Sequence, residues 1–244
     1  ACIISRYKNK LILCERIPIN EGLKNIFFIK RILLKILIKI LYQRADVIVC
    51  NSYGTQNDLE KIISKINSCV IYNPVLSENL NYLANKKVDD YIFDDNFTYL
   101  ITVSRISNEK NIQEMISIVS QLSSDINFKL LIIGDGENLD NLKKYVNTTC
   151  ISNKINFLGY KNNPYKYLKK SDIYLSTAEF EGLGNSLIEA LYFRLSVVAY
   201  DSPGGISEVL GDGKYGYLIT KGDQIEFLNV LENLILDNDK CTSN

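Results

Sequence analysis

From Tyr99 onward the chain repeats one pattern: a short apolar run, a polar loop, then a stretch with apolar residues at helical spacing. Tyr99-Leu100-Ile101-Thr102-Val103 is the first run, and Ile112, Met115, Ile116, Val119 and Leu122 follow it at the spacing of a buried helix face. Lys129 to Ile133, Ile155 to Leu158, Asp172 to Leu175, Val197 to Tyr200 and Tyr217 to Ile219 supply further runs. Strands separated by single helices leave few options. They lie parallel, their crossovers are right-handed, and their loops gather at the carboxyl edge of a doubly wound sheet. The expected fold class is α/β, with function carried on those loops.

The earlier residues are less regular. Leu11 to Cys14 reads as a strand ending at Glu15-Arg16-Ile17-Pro18, Ala45 to Cys50 as a second strand, and Cys69 to Tyr72 as a third. Asn51-Ser52 offers side-chain oxygens to cap a helix running to about Ile66. Leu23 to Tyr42 predicts one long helix, with Lys24, Arg31, Lys35 and Lys39 on one arc and a mostly apolar remainder. The interrupting cations argue against a membrane span, which leaves burial on a domain flank or contact of residues 23–42 with a membrane interface. The polar stretch Ser77 to Asn96 reads as a junction. The expected organisation is a portion of a first domain at 1–72, a linker at 73–97, a complete doubly wound domain at 98–221, and a C-terminal helix and tail at 222–244.

Composition removes several functions. Lys plus Arg and Asp plus Glu are equal at 28 each, so no global field favours nucleic acid. Histidine is absent, which excludes within this chain a Ser-His-Asp site, HExxH chemistry and histidine acid–base work. The six cysteines form no CxxC pair, so no metal site is expected and reduced thiols in a cytoplasmic compartment fit best. Residue 1 is alanine and the only methionine is Met115, which reads as an excised or incomplete chain.

Three loops hold chemistry-bearing residues. Ser104-Arg105-Ile106-Ser107-Asn108-Glu109-Lys110 places a planar guanidinium and a compact ammonium just past a strand, a pair suited to a diphosphate, or else two solvated cations. Glu179-Phe180-Glu181-Gly182-Leu183-Gly184-Asn185-Ser186 precedes a helix whose N-terminus favours an anion, with Gly182 and Gly184 letting backbone approach a ligand. Glu181 and Glu189 can accept hydrogen bonds from sugar hydroxyls. Glu189 can equally close a capping box with Ser186, and Glu181 can be a solvated loop carboxylate. Pro203-Gly204-Gly205 alone means little, and Gly134-Asp135-Gly136 lacks the full dinucleotide fingerprint.

Taken in order, Val103-Ser104-Arg105 with Lys110, Gly134-Asp135-Gly136, Phe157-Leu158-Gly159, Glu181-Gly182-Leu183-Gly184 with Glu189, and Pro203-Gly204-Gly205 with Glu208 resemble a family-4 glycosyltransferase of the GT-B fold. Cys14-Glu15-Arg16-Ile17-Pro18 and Ala45-Asp46-Val47 are similar to the first domain of bacterial members that build lipid-linked oligosaccharide, capsule or O-antigen. The resemblance implies two Rossmann-like domains and retaining transfer of a hexose or N-acetylhexosamine from a UDP- or GDP-linked donor to a glycan or polyprenyl-linked acceptor, without metal or other cofactor. It implies Arg105 and Lys110 on the diphosphate with the backbone of Leu183 and Gly184, Glu181 as the catalytic contact to the transferred sugar, and Glu189 on the ribose. Gly136, Gly159 and Tyr160 would border the base. It further implies a glycine-rich loop and a histidine ahead of residue 1, so residues 1–72 read as the back portion of an acceptor domain, and the chain alone is expected to be weakly active or inactive. Peripheral contact with the cytoplasmic face of a membrane is also expected. The same fold serves sugar-nucleotide epimerases and phosphorylases, and an inactive nucleotide-sugar-binding remnant is a further reading.

Overall fold

The structure, a computed structural model, describes residues 10–242, with side chains to 237. Its elements in order are β1 (Ile12–Glu15), α1 (Ile19–Gly22), α2 (Phe28–Tyr42), β2 (Val47–Cys50), α3 (Tyr53–Ile62), β3 (Ser68–Val70), α4 (Leu80–Ala84), β4 (Thr98–Val103), α5 (Ile112–Val119), β5 (Phe128–Ile133) and α6 (Leu139–Val146). Then follow β6 (Ile155–Gly159), α7 (Tyr165–Leu168), β7 (Ile173–Ser176), α8 (Asn185–Tyr192), β8 (Ser196–Asp201), α9 (Ile206–Leu210), β9 (Tyr217–Thr220) and α10 (Gln224–Thr242). The chain divides into two compact units. The first comprises residues 1–73, 180–184 and 203–209, and the second comprises 74–179, 185–202 and 210–244.

In the first unit β1, β2 and β3 form a parallel sheet, with Ile12 opposite Val47 and Val49 opposite Cys69. Ile48, Cys50, Leu59, Ile63 and Ile19 make its core. Ser52 caps α3 by accepting from the Thr55 amide at 3.0 Å. Burial pushes the Cys50 thiol up to about 12, and Cys14, Cys50, Cys69 and Cys150 are free thiols among the described residues; Cys2 lies outside them.

The expected helix over 23–42 starts five residues late. Leu23 to Ile26 closes a tight turn, and Phe27 is extended at φ −49, ψ 135, which separates α1 from α2. None of the residues of α2 is buried. Leu34, Ile38, Leu41 and Tyr42 are half-buried. Tyr42 donates to Glu15 at 2.9 Å, and Lys35 bonds Asn20, which grips Asp58 through its backbone and side-chain amides. The outward rows Phe28, Ile32, Ile36, Ile40 and Ile29, Leu33, Leu37 are all exposed.

The second unit is the six-stranded parallel sheet β6-β5-β4-β7-β8-β9. Strand order reverses between β4 and β7, and in open α/β sheets such a reversal is where ligands bind, at the carboxyl edge. The apolar runs read from the sequence form these strands, and Ile112, Met115, Ile116 and Val119 of α5 are buried beneath them. Two boundaries differ from the sequence expectation. Residues 74–97 pack into this unit: Leu80 and Ala84 are buried, Tyr91, Phe93 and Tyr99 stack edge to face or tilted, and Lys161 bonds Asp90 at 2.6 Å, holding its carboxyl down near about 2. The helix expected as a terminal appendage is also integral, since Phe227, Leu231 and Ile235 of α10 are fully buried and Phe227 meets Tyr200 at 5.3 Å. Aromatic and leucine side chains scattered among polar ones supplied this packing, so mean polarity concealed it.

Candidate active site

In the second unit, the β4–α5 loop carries both expected cations. Arg105 is exposed, and its guanidinium donates to Glu109 at 2.7 Å. Lys110 ends a 3₁₀ turn, and Asn111 follows in the left-handed region at φ 48. The loop is stitched to the start of the β7–α8 loop. The Glu179 amide donates to the Glu109 carbonyl at 2.7 Å, Thr177 donates to the Asn111 carbonyl at 3.0 Å, and Asn111 donates to the Glu179 carboxylate at 3.1 Å. Lys221 completes the junction with an ion pair to Glu179 at 2.5 Å. These bonds hold the segment bearing both cations to the neighbouring strand's loop, which limits its freedom to move apart.

Gly134 and Gly136 border the same loop for a different reason from a nucleotide fingerprint. A Cβ on Gly134 would lie 1.8 Å from the Ser104 carbonyl oxygen, and one on Gly136 would lie 2.3 Å from that of Ile106, so these glycines exist to let the β5 loop press on the β4 loop. Ile106 donates to the Asp135 carbonyl at 2.9 Å, and Gly134 donates to that of Gly159 at 3.0 Å. The structure thus brings Arg105, Lys110, Gly136 and Gly159 onto consecutive loops of one sheet edge. Gly159 turns at φ 71 into open space, and Tyr160 after it is 71% exposed.

Glu189 lies on α8 of this unit. Ser186 shares a 2.7 Å hydrogen bond with the buried Tyr174, while the Glu189 carboxylate accepts from Tyr165 at 3.4 Å. The side chains of the capping-box reading are therefore engaged elsewhere. Burial lifts the Glu189 carboxyl to about 7, with the Tyr165 bond opposing it. It therefore holds its proton more readily than an ordinary carboxyl, and its two protonation states can respectively donate to and accept from a hydroxyl.

Glu181, Leu183 and Gly184 belong to the first unit. Glu181 is half-buried, its amide donates to the Pro203 carbonyl at 3.0 Å, and it forms a parallel bridge with Gly204. Leu183 is buried, and Gly184 turns at φ 84 toward α8. The expectation that Gly182 makes room for a ligand is corrected: its missing Cβ would sit 1.9 Å from the Arg16 carbonyl oxygen, so protein backbone fills that space. Sequence reasoning also set Pro203-Gly204-Gly205 aside as a mere turn. A Cβ on Gly204 would meet the Glu181 carbonyl oxygen at 1.5 Å, and the Gly54 position is closed in the same way by Gly204 at 1.9 Å. Glu208 was named with that turn in the resemblance, but no role was read for it. Its carboxylate accepts from the Tyr53 and Gly54 amides at 3.0 and 2.6 Å and from the Tyr72 hydroxyl at 3.2 Å, capping α3 from far along the chain. Only its place after a Pro-Gly-Gly turn hinted at that.

Residues 85–243 match the family described as Glycosyl transferases group 1. This chain belongs to that family. The group 1 chain is 32% identical over 206 residues to the Campylobacter jejuni enzyme named N-acetylgalactosamine-N,N'-diacetylbacillosaminyl-diphospho-undecaprenol 4-alpha-N-acetylgalactosaminyltransferase, a match covering 84% of this chain and 54% of the relative. It is 26% identical over 232 residues to the amylovoran biosynthesis glycosyltransferase AmsD of Erwinia amylovora, covering 94% of this chain and 62% of the relative. The chain therefore spans a little over half the length of these relatives. Among solved structures it resembles Anabaena HepE in complex with UDP-glucose, with a TM-score of 0.75 at 22% identity, over 98% of this chain and 65% of that one. That likeness shows the fold: GT-B, with one Rossmann-like unit and part of a second.

Proposed function

We propose that this chain forms the donor-binding domain and part of the acceptor domain of a retaining glycosyltransferase. Its donor is a UDP- or GDP-linked hexose or N-acetylhexosamine, and its acceptor is a glycan or polyprenyl-linked sugar of surface-polysaccharide biosynthesis. The observation that carries the reading is the cationic β4–α5 loop, held by Glu179 and Thr177 at the point where strand order reverses. In support, the Campylobacter relative is named for a diphospho-undecaprenol acceptor, and HepE was crystallised with UDP-glucose.

In this reading Arg105 and Lys110 neutralise the diphosphate, with the Leu183 and Gly184 backbone adding amides. Glu189 takes the ribose hydroxyls, Glu181 orients the transferred sugar, and Gly136, Gly159 and Tyr160 border the base. The acceptor oxygen bonds to the anomeric carbon as the bond from that carbon to the diphosphate breaks on the same face, and the acceptor's proton leaves toward the departing phosphate. Charge builds on the leaving group, so two fixed cations stabilise the transition state more than the ground state. Calorimetric titration with UDP- and GDP-sugars tests this: Arg105→Ala with Lys110→Ala is expected to weaken binding by a factor of about 100 or more, at about 1.5–3 kcal/mol per charged hydrogen bond. Equal affinity in the parent and the double variant would reject the assignment.

The outward face of α2 is assigned to an anionic lipid surface at the cytoplasmic side. Its exposed rows of Ile, Leu and Phe are bordered by Lys30, Lys35 and Lys39, the arrangement of a helix lying in a headgroup interface. Phosphatidylglycerol vesicles should retain the parent chain and release a variant in which Lys30, Lys35 and Lys39 are neutralised. Unchanged partitioning would return this face to protein packing.

A further inference from the structure

The second unit contains an open cavity of about 540 Å³ between α5 and α6, with Gln224 of α10 also in its lining. It opens beside the β4–α5 loop but is separate from the residues assigned to the donor. Six of its twelve lining residues are amides, whereas Asn and Gln together are 31 of the 244 residues in the chain. Asn108, Asn111, Gln113, Asn138, Asn141 and Gln224 are these amides. Ile112 and Leu142 touch the cavity but are almost wholly buried, so half-buried Tyr145 supplies its accessible apolar surface.

The charge of this lining selects against most ligands. No Lys or Arg lines the cavity, so a phosphate or other anion finds no counter-charge. Its one carboxylate, Glu114, already accepts from Tyr200 at 2.7 Å and Gln224 at 3.1 Å and bonds Asn111, so it is committed to protein donors and not offered to a cation. Asn138 is fixed by a 2.7 Å bond to Asn108. Among the described residues, the side-chain amides of Gln113 and Asn141 bond to no protein group, and both face the cavity from opposite helices. Each supplies paired donors and an acceptor. Adjacent hydroxyls demand that donor–acceptor pairing, and a sugar ring with one C–H face suits the Tyr145 ring. The volume lies within the roughly 300–1,000 Å³ range of small-molecule sites.

We propose that this cavity is a neutral carbohydrate subsite, in which a saccharide unit lies against the Tyr145 ring and is held by Gln113, Asn141 and Asn138. It goes beyond the transferase reading and does not depend on it, because it uses none of the donor residues. A glycan held there would keep the enzyme near a chain it has already extended.

The test uses the whole ¹⁵N-labelled chain. Its Asn and Gln side-chain amide signals are followed during titration with neutral oligosaccharides of glucose, galactose, N-acetylglucosamine and N-acetylgalactosamine. At least one series is expected to give saturable shifts at Gln113, Asn141 and Asn138, persisting when UDP is present. The pair Gln113→Ala with Asn141→Ala is expected to weaken that binding roughly tenfold or more while leaving UDP affinity and the unfolding midpoint unchanged. No saturable shift from any of the four series, identical binding in the double variant, or shifts produced only by a neutral Ser- and Asn-rich peptide would overturn the proposal. Loss of UDP binding in the parent would count against the donor assignment alone.

Discussion

Replacing Glu189 by Gln isolates a carboxyl of the second unit that burial lifts well above the ordinary range. Burial raises it from 4.5 to about 7, against an opposing bond from Tyr165. In the unfolded chain it ionises at the ordinary value, so between these two points the native state binds the extra proton and stability falls as pH rises. At about 1.4 kcal/mol per pH unit the shift corresponds to about 3 kcal/mol. The carboxyl keeps some solvent, and screening reduces the expected loss to about 1–2 kcal/mol. Urea unfolding of the parent and Glu189→Gln from about pH 4 to about pH 8 measures it directly. The two should be equally stable at the acid end, where both side chains are neutral, and the variant should lead by about 1–2 kcal/mol at the alkaline end. Parallel curves would mean that Glu189 titrates as a solvated carboxylate and that the burial argument fails. If the ionised form receives ribose hydroxyls, UDP affinity of the parent should rise through about pH 7 and that of the variant should stay flat.

Three further substitutions probe how the loops are held. Gly134→Ala forces a Cβ within 1.8 Å of the Ser104 carbonyl oxygen at φ +146, and a loss of about 3 kcal/mol or more should appear in thermal unfolding. Glu208→Ala strips the acceptor from the Tyr53 and Gly54 amides, and calorimetry should register about 1–2 kcal/mol lost. Phe227→Ala empties a fully buried site beside Tyr200 and should cost about 3–5 kcal/mol in urea unfolding, whereas a dispensable tail would show no change.

The strands of the second unit were legible because most are short, largely apolar runs between polar loops, as a covered parallel sheet requires. The Ser52 cap and the buried face of α5 were legible because they are local, set by side-chain oxygen or by helical spacing. The break at Phe27 was not, since the apolar spacing continues through it and only the backbone departs from the helix. Gly134, Gly182 and Gly204 were visible as glycines, but the atom that excludes a Cβ at each belongs to a residue distant in sequence. Arg105 and Lys110 were read correctly as loop neighbours, while the bonds from Thr177 and Asn111 that tether their loop depend on which strand lies next to β4.

The first unit is assembled from three separate stretches, 1–73, 180–184 and 203–209. A protease cutting between Asn73 and Pro74 would therefore release an incomplete body, lacking Gly182 beneath the Arg16 carbonyl and Glu208 at the head of α3. Truncation mapping would misreport this protein as having one stable domain and one unstable one. Grafting the first unit onto another protein requires transplanting both short inserts together with the leading segment.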